Sequence, residues 1–326
     1  KKEYCDDSRL KKIWDLCVHT QKYGVQEVIQ DCMEREKGFY VGDGCYTTLT
    51  NMVLTKDDSM ARKLIDDAFA SVFITDGLVT CLDCSFMQEI AEYPFMLIYL
   101  VLWHYRIFGD KEYLAENYPK SVKLLESYRA DYEKDGVLGN LDKWCVVEWP
   151  KNFQDNYDVD ITEGKICTEP HVSLNAYYIE AVRTANKIAE ILSLEPYRDE
   201  KYLTDAFVKK FYDSKACLFK DGVNTNHISI IGNVMPFAFN LCPNEKCREN
   251  IADMIRERKI SSVSLFGAFL VLMGFVRMGK ENEIREIMLD DGAWLRMLAE
   301  DATTTFEGWG KDTKWNCSLF HLTMSY

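Results

Sequence analysis

Phe95-Met96-Leu97-Ile98-Tyr99-Leu100-Val101-Leu102-Trp103-His104-Tyr105-Arg106-Ile107 reads as a helix that is apolar on nearly every side. Such a helix belongs inside a large protein or a membrane. The uncharged run that holds it starts at Tyr93 and gives only eleven residues before His104 and Arg106. A bilayer span needs about 20. This is a buried helix, and other helices must surround it. Outward from it, helical spacing recurs along the chain. Leu10, Ile13, Trp14 and Cys17 form one stripe, and Ala61, Leu64, Ile65, Ala68, Phe69 and Val72 another. Further helices are expected over 114–132, 172–192, 202–212, 234–241, 248–256, 263–278 and 281–288, with shorter ones at 46–54 and 292–298. Only 145–148 and 218–223 look extended. About a dozen similar helices without a fixed-period repeat disfavour a solenoid. An all-α ring of helical hairpins, an α/α barrel, is expected.

Composition agrees with a large buried core. Of 326 residues, 47% are hydrophobic and 13% aromatic, which excludes disorder. The 39 basic residues against 52 acidic ones give −13, so no basic stripe exists to engage nucleic acid. Seven prolines and seventeen glycines are too few for a sandwich of many short strands. The twelve cysteines scatter widely; Cys81-x-x-Cys84 has metal or redox spacing but lacks a second pair, so ordinary thiols are expected and no metal or cofactor. Lys1 to Cys5 carries no apolar run behind its charges, so no signal peptide is expected in this stretch. The end at Tyr326 has no helix-stop signal, so the chain is expected to be a piece of a longer protein.

Five connections exceed the usual two to eight residues between bundled helices: 30–44, 76–89, 134–169, 213–232 and 300–313. Loops this long usually carry a site. The first interleaves Asp31, Glu34, Glu36 and Asp43 with Arg35, Phe39, Tyr40 and three glycines, a mixture suited to forking sugar hydroxyls and stacking on a ring face. The last sets Glu307 alone among apolar and hydroxyl residues, where its proton affinity is tunable. Glycosidases need two carboxyl groups across the scissile bond. Glu36 and Glu307 are far apart in sequence, yet the first and last loops of a ring are neighbours.

Here the residues resemble a known family. Asp31-Cys32-x-x-Arg35-Glu36, followed by Gly38, Gly42 and Asp43, resembles the signature of α-L-rhamnosidases, family 78 of the glycoside hydrolases. Glu92-Tyr93 through Trp103-His104-Tyr105 to Gly109-Asp110 is similar to that family's second hairpin, and Asn175-Ala176-Tyr177-Tyr178 to the start of one of its helices. Glu148-Trp149 resembles its Asp-Trp pair. Ala302-Thr303-Thr304 with Glu307 and Trp309, then Ser318-Leu319 and His321, are similar to its closing motifs. Met33 stands for a proline, Tyr40 for a tryptophan, Glu148 for an aspartate, Phe306 for a tryptophan, Gly308 for an arginine and Phe320 for an asparagine.

The resemblance implies an (α/α)6 barrel that inverts at the anomeric carbon of a carbohydrate substrate, within a longer chain bearing β-sandwich domains on either side. It implies Glu36 as general acid and Glu307 as general base, their carboxyl groups roughly 6.5–9.5 Å apart. Asp31, Arg35 and Asp43 would hold hydroxyls, Glu148 would join them, Tyr40, Trp149 and Trp309 would wall the pocket, and His321 would bond a hydroxyl from the far side. Asp31 and Asp43 are expected to raise the pKa of Glu36 against the pull of Arg35. Two other functions fit the residues: a lyase or unsaturated-uronyl hydrolase on the same barrel, and a sugar-binding protein without turnover. Asp155, Asp158, Asp160 and Glu163 lack the central glycine of a calcium loop and read as a solvated rim. His171 and His227 have no partner beside them in sequence, and His19 reads as structural.

Overall fold

A computed structural model describes residues 6–33, 35–71, 81–83, 89–162 and 165–312. Among them are twelve α-helices: α1 Ser8–Gly24, α2 Val41–Thr55, α3 Ser59–Ala70, α4 Tyr93–Phe108, α5 Lys111–Tyr132, α6 Val172–Leu192, α7 Glu200–Phe211, α8 Ile230–Ala238, α9 Glu245–Arg258, α10 Leu265–Arg277, α11 Glu281–Met288 and α12 Trp294–Ala299. Among the described residues α2, α4, α6, α8 and α10 make the inner ring: α2 packs on α4, α4 on α6, α6 on α8 and α8 on α10. The odd-numbered helices lie outside, α5 on α4 and α6, α9 on α8, α11 on α10, and the short α12 packs on α1, bringing the two ends of the described chain together. This is the architecture of an (α/α)6 barrel, as the sequence led us to expect.

Sequence separates the two rings. α9 buries Cys247, Ile251, Ala252 and Ile255, one stripe at helical spacing, and leaves the rest to water. α10 buries an almost unbroken run from Leu265 to Phe275, because outer helices cover one side and the barrel axis the other. At the axis the Tyr46 ring meets the Phe269 ring at 4.7 Å, and the Tyr46 and Tyr177 hydroxyls lie 3.3 Å apart. None of the described helices is long and apolar enough to cross a membrane.

The expected helix at 46–54 begins earlier. Val41, Gly42, Asp43 and Gly44, read as loop, are the first turn of α2. The glycines serve packing, not flexibility: a Cβ at Gly42 would lie 2.4 Å from the Tyr93 ring, and one at Gly44 2.9 Å from Leu64. Gly42→Ala should therefore destabilise the fold by about 1–3 kcal/mol of overpacking, more than the ~0.5–1 kcal/mol that alanine gains in a helix. A lowered urea midpoint at unchanged slope is the expected result; an unchanged or raised midpoint would refute it.

The few strands are two antiparallel hairpins of two-residue strands, β1 Glu133–Lys134 with β2 Val137–Leu138, and β3 Tyr212–Asp213 with β4 Leu218–Phe219. Each follows an outer helix, and each is clamped by an asparagine four residues into the next inner helix. Asn175 accepts from the Leu138 N–H at 2.6 Å and donates to the Leu138 and His171 carbonyls at 3.1 and 2.9 Å. Asn233 makes the same three bonds, accepting from Phe219 N–H at 2.8 Å and donating to the Phe219 and Ser229 carbonyls at 2.9 and 2.8 Å. Both amides are buried. They stitch loop to barrel by satisfying backbone groups that would otherwise be orphaned.

The stretch 145–148, expected to be extended, forms no strand. Val147 sits at φ 59, a costly conformation for a β-branched residue. Glu92, itself buried, holds it there by accepting the Val146 and Val147 N–H groups at 3.2 and 3.0 Å. The twist turns Glu148 inward and leads the chain to Trp149 at the barrel mouth.

Candidate active site

The long loops lean on one another at one end of the barrel. Isolated bridges join Tyr40 to Cys81, Ile90 to Trp144 and His171 to Gly222. They enclose a cleft of about 810 Å³, its open mouth included, in the size range of a small-ligand site. Asp31, Arg35, Glu36, Tyr40, Asp43, Trp149 and Glu307 line it. Seven of the ten residues singled out in the sequence thus meet in one place.

Arg35 is the hub. Its Nη2 lies 2.6 Å from Glu36 Oε1 and 3.1 Å from Glu307 Oε1. The Trp149 indole N–H donates to the same Glu307 oxygen at 2.7 Å. Since one nitrogen touches both carboxylates, their facing oxygens are at most about 5.7 Å apart, the two contacts laid end to end. Arg35 thus bridges the two carboxyl groups that an inverting pair holds roughly 6.5–9.5 Å apart. The guanidinium fills the gap where water and sugar would stand.

The same contact overturns the expected direction at Glu36. Burial is the largest influence and pushes its pKa up, but the Arg35 hydrogen bond and charge, with the Cys32 thiol donating at 3.1 Å, carry it below the ordinary value. Asp31 goes the other way: burial, with repulsion from Glu36, pushes it up to about 6, although it accepts the Gly38 N–H at 2.7 Å. Asp43 is raised well above the usual carboxylate range by full burial, then by Asp31 and Glu307; Tyr93 donates to it at 3.4 Å. Burial and the guanidinium thus push Asp43 and Glu36 in opposite directions.

Two expected site residues stand elsewhere, and a third lies outside the described residues. Glu148 is wholly buried and does not line the cleft. Its carboxylate accepts from the Trp149 N–H at 3.2 Å, the Ser264 N–H at 3.2 Å and the Ser264 hydroxyl. It caps the N-terminus of α10, where Ser264 is the N-cap and makes no side-chain cap bond of its own. Burial pushes it up to about 7 against those bonds. Trp309 is 2% exposed and packs behind the wall, edge to face with Trp294 at 4.9 Å, donating to the Val263 carbonyl at 2.6 Å. It supports the α10 end of the cleft and does not line it. His321 lies outside the described residues, as do Glu163 and Cys84.

The cleft also uses residues the sequence reading did not assign to it: Ile90, Tyr93, Trp144, Val146, Ser264, Leu265 and Phe266. Trp144 was visible as a tryptophan in a long loop. Leu265 and Phe266 carried no signal, since apolar residues opening a buried helix look like core. Asp155 accepts from Ile230 N–H at 2.7 Å and Arg258 at 2.6 Å, and Asp160 from the Thr162 hydroxyl at 2.6 Å. The two histidines do have partners through space: His227 Nδ1 lies 2.6 Å from Asp221, and His171 Nδ1 3.0 Å from the Tyr157 hydroxyl.

With this geometry in view, the comparison with known families is decisive. Residues 4–325 match the family described as the bacterial alpha-L-rhamnosidase 6 hairpin glycosidase domain. The chain belongs to that family. Within it, the chain is 21% identical over 228 residues to an alpha-L-rhamnosidase of Formosa agariphila, a match over 64% of this chain and 23% of that protein. Its fold superposes on the GH78 family rhamnosidase of Bacillus sp. GL1 with a TM-score of 0.84 at 16% identity, over 99% of this chain and 35% of that one. A rhamnosidase from Klebsiella oxytoca with rhamnose bound gives 0.76 at 14% identity, over 99% of this chain and 64% of that one. The matched part of this chain thus spans about a quarter of the Formosa protein and about a third of the Bacillus one.

Proposed function

We propose that this chain hydrolyses a terminal α-L-rhamnoside, or a closely related sugar, with inversion. The observation that carries the proposal is the meeting of Glu36 and Glu307 on one guanidinium at the floor of an aromatic-walled cleft. Glu36 protonates the leaving oxygen, and Glu307, oriented by the Trp149 indole, takes a proton from water on the opposite face. The sugar triggers this arrangement. As its hydroxyls take over the Arg35 hydrogen bonds, the guanidinium leaves the space between the carboxylates and room for water opens. Glu36 then loses the interaction that lowers its pKa, while the burial that raises it deepens, so the acid acquires its proton when substrate is present.

The uronyl reading is less well supported. Arg35 is the one cationic side chain lining the cleft among the described residues, and it is engaged by two carboxylates. Asp31 beside it would further repel a uronate. The test is a panel of aryl glycosides, α-L-rhamnoside first, with NMR detection of the anomer released first. Release of the inverted anomer of rhamnose is expected. A retained product would remove the mechanism; cleavage of a different sugar alone would replace the substrate; no cleavage of any would leave a binding protein.

A further inference from the structure

Behind the wall that carries Trp144 and Trp149, three side chains that take no part in the cleft converge. Cys145, Cys167 and His171 are at most 1% exposed, and their two sulfurs and a ring nitrogen lie within 4.8 Å of one another. The surrounding bonds orient the histidine. The Tyr157 hydroxyl receives the Ser173 N–H at 3.3 Å, lies 3.0 Å from the Asp221 carbonyl, which can only accept, and lies 3.0 Å from His171 Nδ1. A phenol has one proton. All three contacts are hydrogen bonds only if that proton goes to the carbonyl and Nδ1–H donates to the phenol oxygen. Nε2 is then a bare lone pair, and it is fully buried without a hydrogen-bond partner.

We propose that Cys145, Cys167 and His171 Nε2 bind a zinc ion that fastens the 143–149 wall to the N-terminus of α6. Two thiols and an imidazole are the donor set that borderline-soft zinc prefers. Charge argues for a divalent ion: binding releases both thiol protons to solvent, and two thiolates with a neutral imidazole then make a neutral complex, which a site this buried requires. Zinc–sulfur bonds of about 2.3 Å place tetrahedral sulfurs roughly 3.8 Å apart, so the present cluster closes on the ion with movements of about 1 Å or less. His171 is the N-cap of α6, a 21-residue helix whose positive end faces the cluster and favours thiolate. The Nδ1–H to Tyr157 bond supplies the support that metal-bound histidines use, with Tyr157 in turn anchored to the Asp221 carbonyl. Cys145 lies between Trp144 and Val146, both lining the cleft, and the Cys167 N–H bonds the Lys143 carbonyl at 3.0 Å. The ion would thus join both ends of the long 134–169 loop beneath the sugar site.

Ligand spacing does not reveal this site, because the donors sit 22 and 4 positions apart on an irregular loop. The proposal stands apart from the glycosidase reading, and its test measures metal. The protein, produced in zinc-supplemented medium and freed of loose ions, should carry one zinc per chain by elemental analysis. Cys145→Ser/Cys167→Ser should lose at least nine-tenths of it while keeping its far-ultraviolet circular dichroism. Cobalt refolded into the wild type should give thiolate charge-transfer absorption that the double variant lacks. Wild-type protein without zinc, zinc retained in a folded double variant, or a Cys145–Cys167 disulfide found in peptide masses would each overturn the proposal. If the double variant does not fold, the cobalt spectrum of the wild type decides alone.

Discussion

Glutamine at position 307 is expected to lower kcat on an aryl α-L-rhamnoside by about 10²–10⁴-fold, the usual worth of a positioned general base. The Trp149 indole and Arg35 aim this carboxylate, and its side chain is only 11% exposed, so an amide there keeps the shape and loses the base. Glu36→Gln should cost as much on a substrate with a poor leaving group. The two variants should then part company. An activated aryl leaving group departs without protonation, so it should rescue Glu36→Gln and not Glu307→Gln. Equal rescue of both, or full activity in Glu307→Gln, would end the assignment of acid and base.

Arg35→Gln should act on pH dependence as well as on rate. Loss of charge-assisted hydrogen bonds to a sugar, worth about 1.5–3 kcal/mol, should reduce kcat/KM roughly 10–150-fold. The sign of the pH effect follows from the free cleft. An acid works protonated, so the alkaline limb of kcat/KM reports Glu36 in the free enzyme, and that of kcat reports it with sugar bound. Arg35 lowers Glu36 in the free cleft, so wild-type kcat/KM should fall at lower pH than kcat. Without the guanidinium, burial is opposed chiefly by the Cys32 thiol, and the kcat/KM limb should move up toward that of kcat. A limb that stays in place would show that Arg35 does not govern this proton.

The ring of hairpins was legible because inner helices such as α4, α8 and α10 are apolar nearly all round, while outer helices such as α9 bury one stripe. Periodicity cannot see two-residue strands, nor can it see that the glycines of α2 belong to a helix. At the site, residue types located the loops, and seven side chains do converge. What failed was direction. The sequence places Glu148 beside Trp149 without saying that one caps α10 while the other faces the cleft. Trp309 went the same way, since loop position says nothing about which face of a loop looks inward. At Glu36 proximity decides: sequence shows two acids and one arginine nearby, but a guanidinium nitrogen at 2.6 Å outweighs charges farther off.

The paired asparagines carry a consequence for how such a rim diversifies. Because Asn175 and Asn233 each anchor a hairpin to its own inner helix, the hairpins stay docked while the segments beyond them, 139–170 and 220–228, vary at the positions that do not touch the ring. The mouth stays joined to the ring at a few points, among them Glu148 on α10 and Glu92 beneath Val147. Successive variants could trade one specificity for another by rewriting a loop, with the twelve-helix frame inherited intact and the clamps marking where the exchangeable part begins.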